Sequence, residues 1–202
     1  VISGANSGAS LRSMPARYLF LDEVDAYPAE LEGEGDPISL AEARTTTFPR
    51  RKVFLVSTPT IESLSRINKE WLASDQRRYH VPCPHCAPQQ HLTWDNLRWP
   101  KDRPEEAVYH CADCGAGIEE HHKTRMLAAG QWVATYPERP VAGFHINGLY
   151  TPTGLGYTWG ELASLWIESS KDPARIKTFV NLRLGEVVAD PNEKIDADDL
   201  AS

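Results

Sequence analysis

Four cysteines stand in two close pairs, Cys83-Pro-His-Cys86 and Cys111-Ala-Asp-Cys114, with twenty-four residues between them. Each CxxC turn aims two thiolates at one point, and two such turns complete a tetrahedral four-sulfur site. Four closed ligands are the set of a structural zinc, whereas a catalytic zinc keeps one position open. Cys114-Gly115 fits a tight knuckle turn that brings backbone N–H groups toward sulfur; Ala87 stands where the first knuckle would carry the matching glycine. The alternatives are an iron centre, a redox pair, or a thiolate replaced by His85, His110, His121 or His122. His85 lies inside the first turn, where its side chain should point away from the metal.

A second cluster of chemistry-bearing residues ends two apolar runs. Residues 17–22 read Arg-Tyr-Leu-Phe-Leu-Asp, and Glu23 follows. An apolar strand closed by Asp22 and Glu23 has the form of a Walker B element. There the first acid holds Mg²⁺, and the second aligns and deprotonates an attacking water. The run 52–58 ends in Ser57 and Thr58, followed by Pro59 and Thr60, hydroxyls placed to sense a γ-phosphate. The bland alternatives are acids that cap a loop and a plain strand–turn stopped by proline.

Positioning these groups requires a particular set of elements. The two apolar runs are expected as strands buried on both faces of a parallel sheet. Their separation demands a crossover, with a short helix from Ile38 to Thr45 after a flexible Gly/Glu/Pro loop over Glu32 to Pro37. A helix over 63–73 is expected to place Leu64, Ile67 and Trp71 on one face. Residues 77–81 lead into the cysteine module, where Trp94, Trp99 and Tyr109 either pack the small core or stack on nucleic acid. A helix over 119–129 should bury Met126 and Leu127 and stop at Gly130. Residues 141–150 read as a strand. Thr158 and Glu161 form a capping box ahead of Leu162, Leu165 and Trp166. Asp172 caps a further helix with Pro173 in its first turn, Ile176, Phe179 and Val180 inward and Gly185 at its end. The acidic tail from Asp190 reads as a linker, and its Asp196, Asp198 and Asp199 as solvated acids.

The formal charge is −7, which disfavours a free-standing DNA binder, although Arg50, Arg51 and Lys52, and again Arg77 and Arg78, gather cations locally. These are either solvated turn residues or contacts to an anion. Apolar runs are short, so nothing is expected to span a membrane. Paired cysteines without a leader fit a reducing compartment and a metal. The chain opens on Val1 in mid-pattern, as a piece of something longer would.

Taken in order, Gly4-Ala-Asn-Ser7, Tyr18-Leu-Phe-Leu-Asp-Glu-Val-Asp25, Val56-Ser-Thr-Pro-Thr60, Cys83-Pro-His-Cys86 and Ala142-Gly-Phe-His-Ile146 resemble the large terminase subunit of tailed bacteriophages, of the lambda-like type. The resemblance implies an internal fragment of a DNA-packaging motor that couples ATP hydrolysis to translocation of double-stranded viral DNA into the capsid in the host cytoplasm. The capsid portal and the small terminase subunit are its implied partners. It also implies Glu23 as catalytic carboxylate, Asp22 as the Mg²⁺–ATP ligand, Ser57, Thr58 and Thr60 as coupling residues, and an endonuclease in a C-terminal part expected beyond Ser202. The expected fold is α/β: part of a RecA-like P-loop ATPase sheet with an inserted zinc ribbon and a helical return region. Residues 1–78 form the back of the ATPase core, 79–118 the ribbon, 119–189 a return or lid region and 190–202 a linker. Two departures stand out. There is no GxxxxGK[ST] phosphate loop, since Gly4 to Gly8 lacks the lysine, and no convincing nuclease cluster. Both centres are therefore expected to extend beyond the chain, which by itself should be inactive. The rival classes are a zinc-ribbon binding module without catalysis and a non-viral helicase-type ATPase. An upstream phosphate-loop lysine separates motor from module, and a downstream acid cluster separates terminase from helicase.

Overall fold

A computed structural model describes residues 4–6, 15–31, 33 and 35–189. Strands β1 (Tyr18–Asp22) and β2 (Lys52–Val56) pair in parallel, with Leu21 opposite Leu55. Helix α1 (Pro37–Ala43) makes the crossover, with Asp36 Oδ2 accepting from Ser39 N at 2.9 Å and Pro37 in the first turn. Helix α2 (Arg66–Ala73) starts later than its sequence periodicity implies. Ser65 caps it through Asn68 N, which leaves Leu64 outside the helix and exposed.

One face of this small sheet is packed: Leu19, Leu21, Val53 and Leu55 meet Val24, Ile38, Ala41 and Ile67. The other face is open, with Tyr18, Phe20, Phe54 and Val56 exposed and the Phe20 and Phe54 rings 6.0 Å apart. The expectation of burial on both faces is thus corrected. Strand side chains alternate, and α1 and α2 both contribute to the same side.

Strand β3 (Arg77–Pro82) is the hub of a second sheet. It runs antiparallel to β4 (Gln89–His91) and β8 (Gln131–Ala134) and parallel to β9 (Phe144–His145). A third sheet joins β5 (Leu97–Arg98), β6 (Val108–His110) and β7 (Gly117–Ile118). The helix expected over 119–129 divides into a 3-10 turn, Glu120–His122, and α3 (Lys123–Ala128). Gly130 follows α3 without a left-handed backbone; a Cβ there would overlap the Tyr79 ring. The strand expected over 141–150 shrinks to β9, because the Asn147 side chain accepts from Leu149 N at 3.0 Å and starts a 3-10 turn, Gly148–Tyr150.

Helix α4 (Trp159–Ser169) carries the capping box in full: Glu161 N donates to Thr158 Oγ1 at 3.1 Å and Thr158 N to Glu161 Oε2 at 2.8 Å. Helix α5 (Pro173–Phe179), capped by Asp172, runs into a π-helical turn over Val180–Leu184, and Gly185 ends it at φ 64°.

A single core unites the cysteine module with the elements C-terminal to it. Val81, Leu92, Leu97, Tyr109, Ile118 and Met126 pack with Leu149, Tyr150, Trp159 and Leu162. The aromatic side chains of the module are packing groups: Tyr109 is sealed, and the Trp94 ring lies 4.9 Å from Phe179 and 5.6 Å from Trp166. Buried Lys123 pairs with Glu120, whose other oxygen accepts from Trp159 N at 2.9 Å and so ties α3 to the start of α4. Among the described residues no helix is long and apolar enough to cross a membrane. The tail acids Asp196, Asp198 and Asp199 lie outside the described residues.

Candidate functional site

The four-cysteine centre is built by two matching knuckles. Ala87 N donates to Cys83 O and Gly115 N to Cys111 O, each at 3.0 Å, and both turns close through a left-handed residue, φ 72° at Ala87 and 70° at Gly115. All four Sγ atoms lie within 4.8 Å of one another, and Cys86 Sγ is 3.7 Å from Cys111 Sγ. A tetrahedral ion with metal–sulfur bonds of about 2.3 Å needs sulfur–sulfur edges of about 3.8 Å, so the donor set fits such an ion. His85 N reaches Cys83 Sγ at 3.4 Å and Gln90 Nε2 reaches Cys111 Sγ at 3.5 Å. Burial opposes the Cys111 thiolate, but the N–H groups of Cys114 and Asp113 outweigh it and bring the thiol down to about 7. Burial and the neighbouring thiols push Cys86 upward. The His85 ring bonds Gly117 O at 3.1 Å, away from the sulfurs. His85, His110, His121 and His122 all lie outside the four-sulfur group.

The acidic strand end is built by a strained turn. Glu23 adopts φ 54°, ψ 49°, the left-handed region that costs a side-chain-bearing residue about 1–2 kcal/mol. It opens a 3-10 turn, Val24–Ala26. Asp22 and Glu23 are both exposed at the carboxyl edge of the sheet, where ligands bind in parallel α/β sheets. Ser57 bridges the two strand ends: its hydroxyl accepts from Asp25 N at 3.2 Å, and its single proton is in reach of Glu23 Oε2 at 3.3 Å and Thr58 O at 3.0 Å. The hydroxyl of Thr60 donates to Asp25 Oδ2 at 3.1 Å. Of the residues singled out from sequence, Glu23, Ser57 and Thr60 are thus joined in one network with Asp25 between them. Asp22 and the Thr58 side chain stand beside that network at the same strand ends.

Three residues of this region escaped sequence reasoning. Asp25 lies in the Tyr18–Asp25 stretch, yet nothing local tells its carboxylate from a solvated one; besides Thr60 it holds Ile67 N at 2.8 Å and so caps α2. Arg66 reaches Pro28 O at 2.8 Å and Asp36 at 3.1 Å, fastening α2 to the acidic turn and to α1. Asn181, in the π-helical turn, donates to Thr60 O at 2.9 Å and Glu186 O at 2.8 Å.

The family model of the phage terminase large subunit gpA ATPase domain matches residues 1–132. The chain belongs to this terminase family. A second model, for the terminase large subunit gpA endonuclease domain, matches residues 141–202, and so reaches into the segment taken from sequence as a return region and linker. The chain is similar to the large terminase subunit of Enterobacteria phage P21, 28% identical over 221 residues, which cover 96% of this chain and 34% of that protein. It is similar also to the large terminase subunit of Escherichia phage lambda, 26% identical over 223 residues, covering 98% and 34%. The chain therefore spans about a third of the length of these curated relatives. No solved structure matches it. The lambda-like terminase resemblance drawn from the five short stretches is borne out by these matches.

Proposed function

We propose that this chain carries the back half of the ATPase core of a DNA-packaging motor, which couples ATP hydrolysis to movement of double-stranded viral DNA into a capsid and works with a nuclease in the same protein. The sheet β1–β2 would belong to a RecA-like core and the cysteine module to a zinc ribbon. A structural zinc would be held by Cys83, Cys86, Cys111 and Cys114, where it would lock the two knuckles together. The acidic turn would bind Mg²⁺–ATP, with Asp22 as the metal ligand. Magnesium, when bound, offsets phosphate charge. Glu23 would orient the attacking water and take its proton. Ser57, Thr58 and Thr60 would report the state of the site to α2 through Asp25. The portal, the small terminase subunit and the host cytoplasm are the setting that this role requires.

The observation that supports this reading best is the bridge from Glu23 through Ser57 and Asp25 to Thr60. A plain loop cap has no need to link the acids of one strand to the hydroxyls of the next. The test uses the intact large subunit. Glu23→Gln keeps the size of the side chain and removes its basicity, so nucleotide binding should persist while single-turnover hydrolysis slows on the order of a hundredfold or more. Asp22→Asn should weaken Mg²⁺–ATP binding as well. Parental hydrolysis in Glu23→Gln would remove Glu23 from the chemistry.

A further inference from the structure

The two ends of the β1–β2 pair differ in charge. Asp22, Glu23 and Asp25 gather at the carboxyl end, whereas residues 44–52 contain four cations and no carboxylate, and Arg17 adds a fifth at the start of β1. Three backbone bonds fix this basic pole: Ala16 N to Arg44 O at 3.1 Å, Lys52 N to Arg17 O at 3.0 Å, and Arg51 N to Phe48 O at 3.2 Å. Arg17 Nε adds a bond to Arg50 O at 3.4 Å, and its guanidinium lies 5.1 Å from the centre of the Tyr18 ring. Arg17, Arg50, Arg51 and Lys52 are all exposed. Among the described residues none of the four has a carboxylate partner. Thr47 and Tyr18 stand exposed beside them with hydroxyls.

In a chain of charge −7, four exposed cations gathered at one end of a strand pair make a local positive surface that complements an anion. Arginine, lysine, threonine and tyrosine are also the side chains that contact phosphate and sugar without reading bases. We propose that this pole is a docking surface for the sugar–phosphate backbone of double-stranded DNA, made by Arg17, Arg50, Arg51 and Lys52. It rests on the motor reading above and adds to it where the DNA lies. From Tyr18 to Asp22 the strand advances four residues, about 13 Å at about 3.3 Å each. DNA at the basic pole would therefore stay clear of the acids that repel it while touching the strand that ends in them.

The test uses the intact large subunit and a labelled duplex of random sequence, titrated from about 50 to 200 mM salt. Each phosphate contact contributes about 0.9 to the slope of log affinity against log salt. Replacing the four cations by glutamine should lower that slope by about 3 to 4 and weaken binding most at low salt. Arg17→Lys, Arg50→Lys and Arg51→Lys together should keep the slope. DNA-free, magnesium-dependent ATP turnover should stay at the parental value in both variants, because these side chains stand at the opposite end of the strands from the acids, and both variants should still melt cooperatively, close to the parent. An unchanged slope in the folded glutamine variant overturns the proposal. So does a loss of self-association, read by sedimentation, at unchanged DNA affinity, since the pole would then meet an acidic protein surface. A parent that binds DNA through this pole but never hydrolyses ATP would sink the motor reading and leave the surface standing.

Discussion

The two cysteine knuckles offer a matched experiment on backbone strain. Ala87 and Gly115 occupy equivalent places at nearly the same φ, 72° and 70°. A residue with a Cβ loses about 1–2 kcal/mol in this region. Glycine escapes that cost, but its freer unfolded chain offsets about 0.4–1 kcal/mol. The net gain expected for Ala87→Gly is therefore about 0.5–1 kcal/mol. Gly115→Ala should lose about the same, and for conformational reasons alone, because a Cβ at Gly115 would meet nothing within 4 Å. If loss of metal requires the knuckle to open, 1 kcal/mol corresponds to about a fivefold change in retention. With the proposed zinc on the four cysteines, competition against a chelator should thus show Ala87→Gly retaining the ion about two- to fivefold more tightly and Gly115→Ala correspondingly less. Melting temperatures should move by about 1–4 °C in the same directions. A neutral Ala87→Gly together with a harmless Gly115→Ala would refute the argument, and would mean that the metal, not the backbone, sets the turn.

Packing and titration give two further expected outcomes. Gly130→Ala should destabilise by about 1–3 kcal/mol through overpacking against the Tyr79 ring, and Tyr79→Leu in the same chain should recover part of the loss, as read by thermal melting. Burial holds His80, His91 and His145 below their ordinary value of 6.5, with Arg78 adding repulsion at each. The unfolded chain then binds more protons than the folded one, so stability should be steady above 6.5 and fall as the pH drops through the folded values. Melting curves between about pH 8 and 5 should show this decline flattened in His145→Gln; equal slopes in the two proteins would clear that imidazole.

Local encoding decided what could be read in advance. Each cysteine knuckle is specified within five residues, as is the Thr158–Glu161 box, and both appear where the sequence put them. The position of the strand-end acids was legible because an apolar run announces its own end, even with one of its faces open. Asp25 and Asn181 were not, because their partners lie 35 and 121 residues away in the chain. The apolar run at 141–150 misled because Phe144 and Ile146 are exposed, and Asn147, a polar residue with an ordinary place in a strand edge, turns the backbone instead. The open face bearing Phe20 and Phe54 shows the limit of apolarity as a guide: it tells that a surface must be covered, not by what.

The two family matches leave a seam between residues 132 and 141, yet the folded body has no seam there. Met126 and Trp159 share one core across it, and Thr60 O accepts from both Asn181 Nδ2 and Val188 N. A hybrid that took its ATPase half from one relative and its nuclease half from another, joined at that seam, would bring together two halves of a core that had never been fitted to each other. Exchange of the enzymatic modules, by inheritance or by engineering, therefore has to carry the stretch from Arg77 to Val188 as a single cassette, with Thr60 matched to it.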